Sequence, residues 1–275
     1  MSVVVERVLP VRARNYSRKR PCNFKNINFL FIFMNSWNLV AQKYNNLVGE
    51  TGDIYHKTYI NPVILELLGN IKNKKILDLA CGQGYFSRIL AQKEARVFGI
   101  DNAKELLKIA KKREKEKLLD VKYYLKDASN LRGMKNSFFD IIVINMSFHN
   151  IKDVEKTIKE CSRVLKRRGR VIFSIPHPWK NMAKNIIGKR KCYLKVEKYK
   201  SISCQKHFIE ELNVKIYRRP VEFYLQEFFK NNFVISGFFE ITTRHYKNKN
   251  ITNTGLLNYR KEIPSFLIVE ATKLN

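Results

Sequence analysis

Apolar positions recur along this chain at two different periods, and the switching between them predicts an alternation of helices and strands. Trp37 to Leu47 is amphipathic at the helical period. Asn61 is placed to cap a short helix with Pro62 at its first position, an apolar face of Val63, Ile64, Leu67 and Leu68, and Gly69 just past its end. Lys75 to Leu79 reads as a first strand, Tyr85 to Ala91 as a helix and Arg96 to Ile100 as a second strand. Asn102 is placed to cap the next helix, with Glu105 positioned to reach back to the cap's backbone. Lys111 to Lys117 makes the far end of that helix charged and solvated. Val121 to Leu125 reads as a third strand. Ile141 to Asn145 is a continuous apolar run, as a strand covered on both faces requires. Asp153 is placed to cap a helix whose Val154, Ile158, Cys161 and Leu165 share one face, and Gly169 is expected to end it. Val171 to Ile175 completes five strands.

Such short-spaced alternation predicts an α/β fold, a doubly wound Rossmann-like parallel sheet. The pattern breaks after Pro176. Residues 178–219 are basic with only patchy apolar content, and we read 178–222 as a cap or lid inserted after strand five. Val221 to Lys230 is again an amphipathic helix, Phe233 to Thr242 a strand and Ser265 to Ala271 a final strand. Two late strands joined by so long a segment predict an antiparallel pair at the sheet edge. There is no internal repeat.

Composition narrows this picture. The 275 residues, 45% of them hydrophobic, suit one α/β domain with a full core. No apolar run approaches the ~20 residues needed to cross a bilayer. Ile27 to Met34 is too short, and no small-residue cleavage site follows it, so a cytoplasmic protein is expected. The five cysteines are irregularly spaced without CxxC, which reads as scattered reduced thiols, with no disulfide framework and no metal site. The net charge of +29 suggests an anionic partner, nucleic acid included, or simply a solvated lysine-rich surface. The lysines are spread over most of the chain, with two local concentrations in residues 1–33, net +6, and 178–219, net +9. Residues 1–33 show neither period. The change of texture at Met34 suggests a start there, with residues 1–33 an upstream translation or a floppy basic arm and 34–275 the folded domain.

The chemistry-bearing segment is Asp78-Leu-Ala-Cys-Gly-Gln-Gly84, at the carboxyl end of the first strand and the start of a helix, where open α/β sheets bind ligands. Gly82 and Gly84 allow tight turning and close approach. A nicotinamide fingerprint would need a third glycine or alanine where Ser87 stands, and a pyrophosphate would be repelled by Asp78. A cationic methionine moiety suits that carboxylate, so the loop favours S-adenosylmethionine. Asp101, ending strand two, is placed to accept from ribose hydroxyls. Asp127 and Ala128, after strand three, are placed to pair with the adenine amino group and ring.

With these residues in place, the chain resembles class I SAM-dependent methyltransferases, in particular the small-molecule branch of the type 11 and type 25 groups. The resemblance rests on ILDLACGQGYFSRILA, FGIDNAKELLKIAKKR, KDASNL, FDIIVINMSFHNI and RVLKRRGRVIFSIPHP in that order, and on the closing strand PSFLIVEATK. It implies a seven-stranded, mostly parallel sheet of order 3-2-1-4-5-7-6 with strand seven antiparallel. It also implies that Asp78, Gly82 and Gly84, with Ala80 and Cys81 in the same loop, hold the methionine end. Asp101 and the neighbouring Asn102 would hold the ribose, Asp127 and Ala128 the adenine, and Asn145 and Met146 would line the sulfonium side. Ala80 stands where many members have a first glycine, and Arg167-Arg168-Gly169 replaces the usual Pro-Gly-Gly turn. Residues 1–33 have no counterpart.

Methyl transfer from a sulfonium demands positioning and exclusion of water more than stabilisation of new charge. Tyr44, where the family often places an aromatic over the cofactor, and Tyr55 are candidates for cation–π contact, worth ~0.5–2 kcal/mol. If the acceptor is protonated, His177 after strand five and His149 after strand four are the candidate bases, with His56 a third. The expected activity is one-carbon transfer from SAM to a small-molecule acceptor, leaving S-adenosylhomocysteine. The alternatives are a tRNA methylase using the basic lid and a non-catalytic SAM-binding module. Against the former, Asn145-Met146-Ser147-Phe148 lacks the Pro-Pro pair of base amino-methylases, and no cysteine stands there for C5 chemistry.

Overall fold

The computed structural model describes residues 36–180, 183–187, 192–209, 212–243 and 263–274. The basic segment 1–33 and the start proposed at Met34 lie outside the described residues.

Strands occupy β1 (Lys75–Leu79), β2 (Arg96–Asp101), β3 (Lys122–Leu125), β4 (Phe139–Ile144) and β5 (Leu165–Pro176). Four more follow in β6 (Ala183–Ile187), β7 (Cys192–Val196), β8 (Ser203–Ile209) and β9 (Leu212–Arg218), and the chain ends with β10 (Phe233–Ile241) and β11 (Phe266–Lys273). The main sheet has seven strands in the order β10-β11-β5-β4-β1-β2-β3. β1 to β5 pair in parallel, and β11 runs antiparallel to both β5 and β10. With β6–β7 and β8–β9 set aside as separate hairpins, this is the expected order 3-2-1-4-5-7-6 with one reversed strand.

Helices α1 (Ser36–Val48), α2 (Asn61–Leu68), α3 (Tyr85–Gln92), α4 (Lys104–Lys117), α5 (Val154–Val164) and α6 (Val221–Lys230) accompany the sheet. One core joins Ile142, Ile144, Phe173 and Leu267 of the sheet to Ile158, Tyr224 and Phe228 of α5 and α6. The other joins Ile76, Val143 and Ile172 to Ile64, Phe86 and Leu90 of α2 and α3. Both faces of the sheet are thus dry, which is why its central strands read as unbroken apolar runs. Phe173 and Phe228 stack at 5.4 Å between centroids. Burying one such ring contributes ~1.5–3 kcal/mol. Arg170 of β5 donates to the carbonyls of Leu67 and Leu68 and pairs with Glu270 at 2.6 Å, so it satisfies the free carbonyls at the end of α2.

Several helix boundaries differ from expectation, and at α2 and α4 the reason is that the expected capping side chains bond elsewhere in the fold. Asn61 is the first residue of α2 and Ile60 sits at its cap. Asn102 does not cap α4. Ala103 holds that place, the Glu105 amide donates to Asn38 of α1, and the Ala103 amide donates to Asp101. Asp153 stands at the cap of α5 but its side chain makes no capping bond. Gly169 does not end α5, which stops at Val164 and passes directly into β5. A Cβ on Gly169 would lie 2.9 Å from the Asp140 carbonyl oxygen, so glycine serves a close crossing of β5 and β4 there. Among its described residues the inserted segment forms two antiparallel strand pairs, β6–β7 and β8–β9. β9 packs against α1 and against a 3-10 turn at Phe148–Asn150, with Val214 and Ile216 buried.

Candidate active site

The carboxyl ends of β1 and β2 and the turn after β4 meet at the loop that follows β1, and β5 joins the turn after β4 through Ser174. Ala80, Gly82 and Gly84 all have left-handed φ values, of 58°, 58° and 77°. That geometry suits glycine and strains alanine. A Cβ on Gly82 would meet the Tyr44 ring at 3.6 Å, so Tyr44 sits directly over the loop. A Cβ on Gly84 would fall 2.4 Å from the Tyr123 hydroxyl. Gly84 therefore makes room for the protein's own Tyr123 as well as a tight turn into α3.

Two carboxylates converge beside this loop. Asp78 is buried, and the Ser87 hydroxyl donates to its Oδ2 at 2.5 Å. Asp101 is also buried; it accepts the Gly82 amide on Oδ2 at 2.8 Å and the Ala103 amide on Oδ1 at 2.7 Å. Burial raises both, and the charge of Asp101 adds to the rise of Asp78, which is pushed up to about 7. Among the described residues neither has an ion-pair partner. The Tyr44 hydroxyl is raised by burial and then by the charges of Asp53, Asp101 and Asp78. Among the described residues this end of the site gathers carboxylates without a cation to match them. A ligand that carried positive charge and hydrogen-bond donors would complete it.

Asp127, after β3, accepts from the Ser129 amide and hydroxyl at 2.8 and 2.6 Å and from Asn102 Nδ2 at 3.2 Å. Burial works against its ionisation, but these bonds prevail and hold its carboxyl below the usual range. Ala128 beside it is buried. The Asp101 and Asp127 groups are thus linked through neighbouring Asn102. Trp37 meets Tyr44 edge-on at 5.2 Å. Cys81 is buried in the loop, its thiol pushed up by burial and by Asp78.

Asn145 and Met146 follow β4. The Asn145 amide is engaged within the protein: Nδ2 donates to Asn61 Oδ1 and the Tyr85 hydroxyl, both at 3.1 Å, while Oδ1 accepts from Ser174 at 2.7 Å. Ser174 Oγ in turn accepts the Met146 amide at 2.8 Å. Met146 has a left-handed φ of 51°. This buried network ties α2, α3, β4 and β5 together, and Asn61, Tyr85 and Ser174 carried no local signal for it. A second one was equally hidden. Gln83 donates to the Gly49 carbonyl at 2.6 Å and accepts from Arg88 and Arg113, fixing the chain after α1 against the glycine loop.

The three candidate histidines have different partners. His56 opens a π-helical turn, His56–Ile60, and its Nδ1 lies 2.8 Å from Asp53, which also accepts the amides of Tyr55 and His56. Tyr55 packs on Phe266 at 5.7 Å. His149 is buried in the turn after β4. His177 follows β5, buried, with Nε2 at 2.9 Å from Glu240 Oε1 of β10 and the Trp179 ring centroid at 6.0 Å. Burial lowers its pKa and Glu240 only partly restores it.

Residues 77–173 match the family described as a methyltransferase domain. A demethylmenaquinone methyltransferase of Thermotoga maritima is 33% identical over 142 residues, which is 51% of this chain and 59% of that protein. A ubiquinone biosynthesis O-methyltransferase of Coxiella burnetii is 30% identical over 138 residues, 49% of this chain and 57% of that protein. The chain therefore spans somewhat over half the length of the curated relatives it matches. Among solved structures, an S-adenosylmethionine-dependent methyltransferase of Mesorhizobium loti superimposes with a TM-score of 0.65 at 22% identity, over 77% of this chain and 96% of that one.

Proposed function

From the premise that this chain carries a class I methyltransferase domain, we propose that it transfers the methyl group of S-adenosylmethionine to a small-molecule acceptor. The observation that carries this reading is the pair of buried carboxylates, Asp78 and Asp101, at the ends of β1 and β2, with no ion-pair partner among the described residues. S-adenosylmethionine brings an ammonium, a sulfonium and ribose hydroxyls, the charge and donors that this end of the site lacks.

In this reading Asp78, Gly82, Gly84 and the Ala80–Cys81 backbone hold the methionine end. Asp101 and Asn102 hold the ribose, and Asp127 with Ala128 the adenine. Asp101 arrives with both oxygens already fixed by backbone amides, so its remaining lone pairs are aimed before a ligand binds. The Tyr44 ring lies against Gly82, where an aromatic can meet positive charge. When bound, the cofactor supplies an electrophilic methyl group. The Asn61–Tyr85–Asn145–Ser174 network keeps the strand ends rigid, and the backbone of Asn145 and Met146 forms the neighbouring wall.

Residues 178–222 serve as the cap. The support is β9, which spans from α1 to the 3-10 turn after β4 and buries Val214 and Ile216. The names of the two curated relatives favour an acceptor of the quinone-biosynthesis kind. Calorimetry with S-adenosylmethionine on wild type, Asp78→Asn and Asp101→Asn tests the cofactor assignment. Wild type is expected to bind and each variant to lose about 10–100-fold, the worth of one charge-assisted contact. Equal binding by all three would refute it.

A further inference from the structure

Helix α1 meets the glycine loop at two places. Its Tyr44 ring lies against Gly82, and the residue that ends it, Gly49, is held by Gln83, whose Nε2 donates to the Gly49 carbonyl at 2.6 Å. Gln83 is fully buried between the left-handed Gly82 and Gly84. Its Oε1 accepts from Arg88 Nη2 at 3.0 Å and from Arg113 Nη1 at 2.7 Å, and its carbonyl accepts Arg88 Nη1 at 2.9 Å. Arg113 Nη1 also reaches the Gly49 carbonyl at 3.3 Å, and its Nε pairs with Glu50 Oε1 at 3.0 Å. Glu50 Oε2 lies 4.0 Å from Arg88 Nε. Two largely buried guanidinium groups thus share one carboxylate, which is 52% exposed. A carboxamide donates and accepts at once, so Gln83 can join the Gly49 carbonyl to two cationic donors. Elsewhere α1 is lightly held. Only Ala41 and Val48 of its 13 residues are buried. Ala41 packs with Ala103 and Leu106 in a small cluster of its own, and Asn38 accepts the Glu105 amide. By contrast β1 is fixed to β2 and β4 by parallel ladders. Of the elements that border the loop, α1 therefore comes away at least cost.

We propose that Gln83, Arg113 and Glu50 are positioning residues that latch α1 to the glycine loop and so set how long the cofactor stays bound. While Gln83 holds the Gly49 carbonyl, Tyr44 stays against Gly82 and the bound cofactor is retained. When the latch opens, α1 lifts and the cofactor exchanges. This rests on the methyltransferase reading and adds to it a residence time governed by side chains to which that reading gives no cofactor contact. The latch is partly electrostatic, and because Glu50 is half-exposed, dissolved salt weakens it. A network that served only to pack the fold would need acceptors for Arg88 and Arg113, which a carboxylate supplies as well as an amide. The latch needs the N–H that points at Gly49, which a carboxylate lacks.

Two measurements on the full chain decide this. The first is hydrogen exchange of the ligand-free protein, wild type beside Gln83→Glu, which keeps acceptors for both arginines and loses the donor to Gly49. The α1 amides are expected to exchange roughly tenfold faster in the variant, with the amides of β1 and β4 as protected as in wild type. Equal α1 exchange overturns the proposal. So does a loss of protection spread evenly over α1, β1 and β4, which is general destabilisation. The second is the dissociation rate of S-adenosylhomocysteine, by stopped-flow displacement followed through tryptophan fluorescence, since Trp37 meets Tyr44 edge-on. Gln83→Glu is expected to release it roughly tenfold faster than wild type. Wild type is expected to release it roughly two- to fivefold faster at ~0.5 M than at ~0.05 M salt, and Glu50→Gln, a substitution at a half-exposed side chain, to lose most of that dependence. A Gln83→Glu rate equal to wild type overturns the proposal, as does an equal salt dependence in Glu50→Gln. Failure of wild type to bind S-adenosylhomocysteine would instead sink the methyltransferase reading beneath it. The exchange of α1 in the free protein is read without any ligand, so the two failures are distinguishable.

Discussion

Asp101 Oδ2 holds the amide of Gly82 at 2.8 Å, so the end of β2 is bonded directly to the loop that leaves β1. One carboxylate therefore sets the shape of the glycine loop and, in the proposed reading, also accepts from the ribose. Asp101→Asn keeps one oxygen acceptor and loses the charge. We expect its cofactor affinity to fall by about 10–100-fold with the fold intact, as read by calorimetry alongside circular dichroism.

The elevated Asp78 carboxyl gives a pH signature. Its value in the fold, about 7, lies above that of an unfolded aspartate. Its contribution to stability is therefore fully present below the unfolded value of ~4 and is lost as pH rises through about 7. A bound cation favours the ionised form, so cofactor affinity should rise with pH across the same window. The melting-temperature increase given by S-adenosylmethionine is expected to be larger near pH ~8 than near pH ~5.5. An equal increase at both would show that Asp78 does not face the ligand's charge.

Ala80, in the glycine loop after β1, carries a left-handed φ of 58°. For alanine that conformation costs ~1–2 kcal/mol, partly offset by the lower unfolded-state freedom it has relative to glycine, ~0.5–1 kcal/mol. Ala80→Gly should therefore stabilise the protein by ~0.5–1 kcal/mol, a rise of roughly 1–4 °C in melting temperature for a chain of this size. A lower melting temperature would mean that the alanine methyl makes packing contacts that outweigh the strain.

Gly84→Ala should act in the opposite sense. Its Cβ would fall 2.4 Å from the Tyr123 hydroxyl, on backbone with a φ of 77°. Tyr123 is buried, so the ring has little room to retreat. The expected loss is ~2–4 kcal/mol by denaturant unfolding, the sum of overpacking and backbone strain. Tyr123→Phe in the same background should recover part of it, because it removes the atom in closest conflict.

Much of this was legible in the sequence where the information is local. β1 and α6 begin and end where the periodicity places them, because a dry strand and a two-faced helix declare themselves within a few residues. The sheet order followed from the resemblance. What stayed hidden was long-range. Asn61 reads as a cap by its neighbours, but its amide oxygen accepts from Tyr85 and from Asn145, 84 residues away. Gln83, flanked by two glycines, reads as a spacer, yet it is buried between Arg88 and Arg113. Glu240 is one alternate polar position on an edge strand, and only the meeting of β10 with the end of β5 makes it a partner of His177. The hairpin β8–β9 was obscured because its alternation is filled with lysine and other polar residues, which leaves Val214 and Ile216 as the inward positions.

The most direct test of the central claim follows the methyl group itself. Purified protein is incubated with methyl-labelled S-adenosylmethionine and a cell extract separated into small-molecule, RNA and protein fractions, beside the Asp101→Asn variant. The account predicts label in the small-molecule fraction with wild type and a large loss with the variant. Label in RNA, or cofactor binding with label in no fraction, would contradict it.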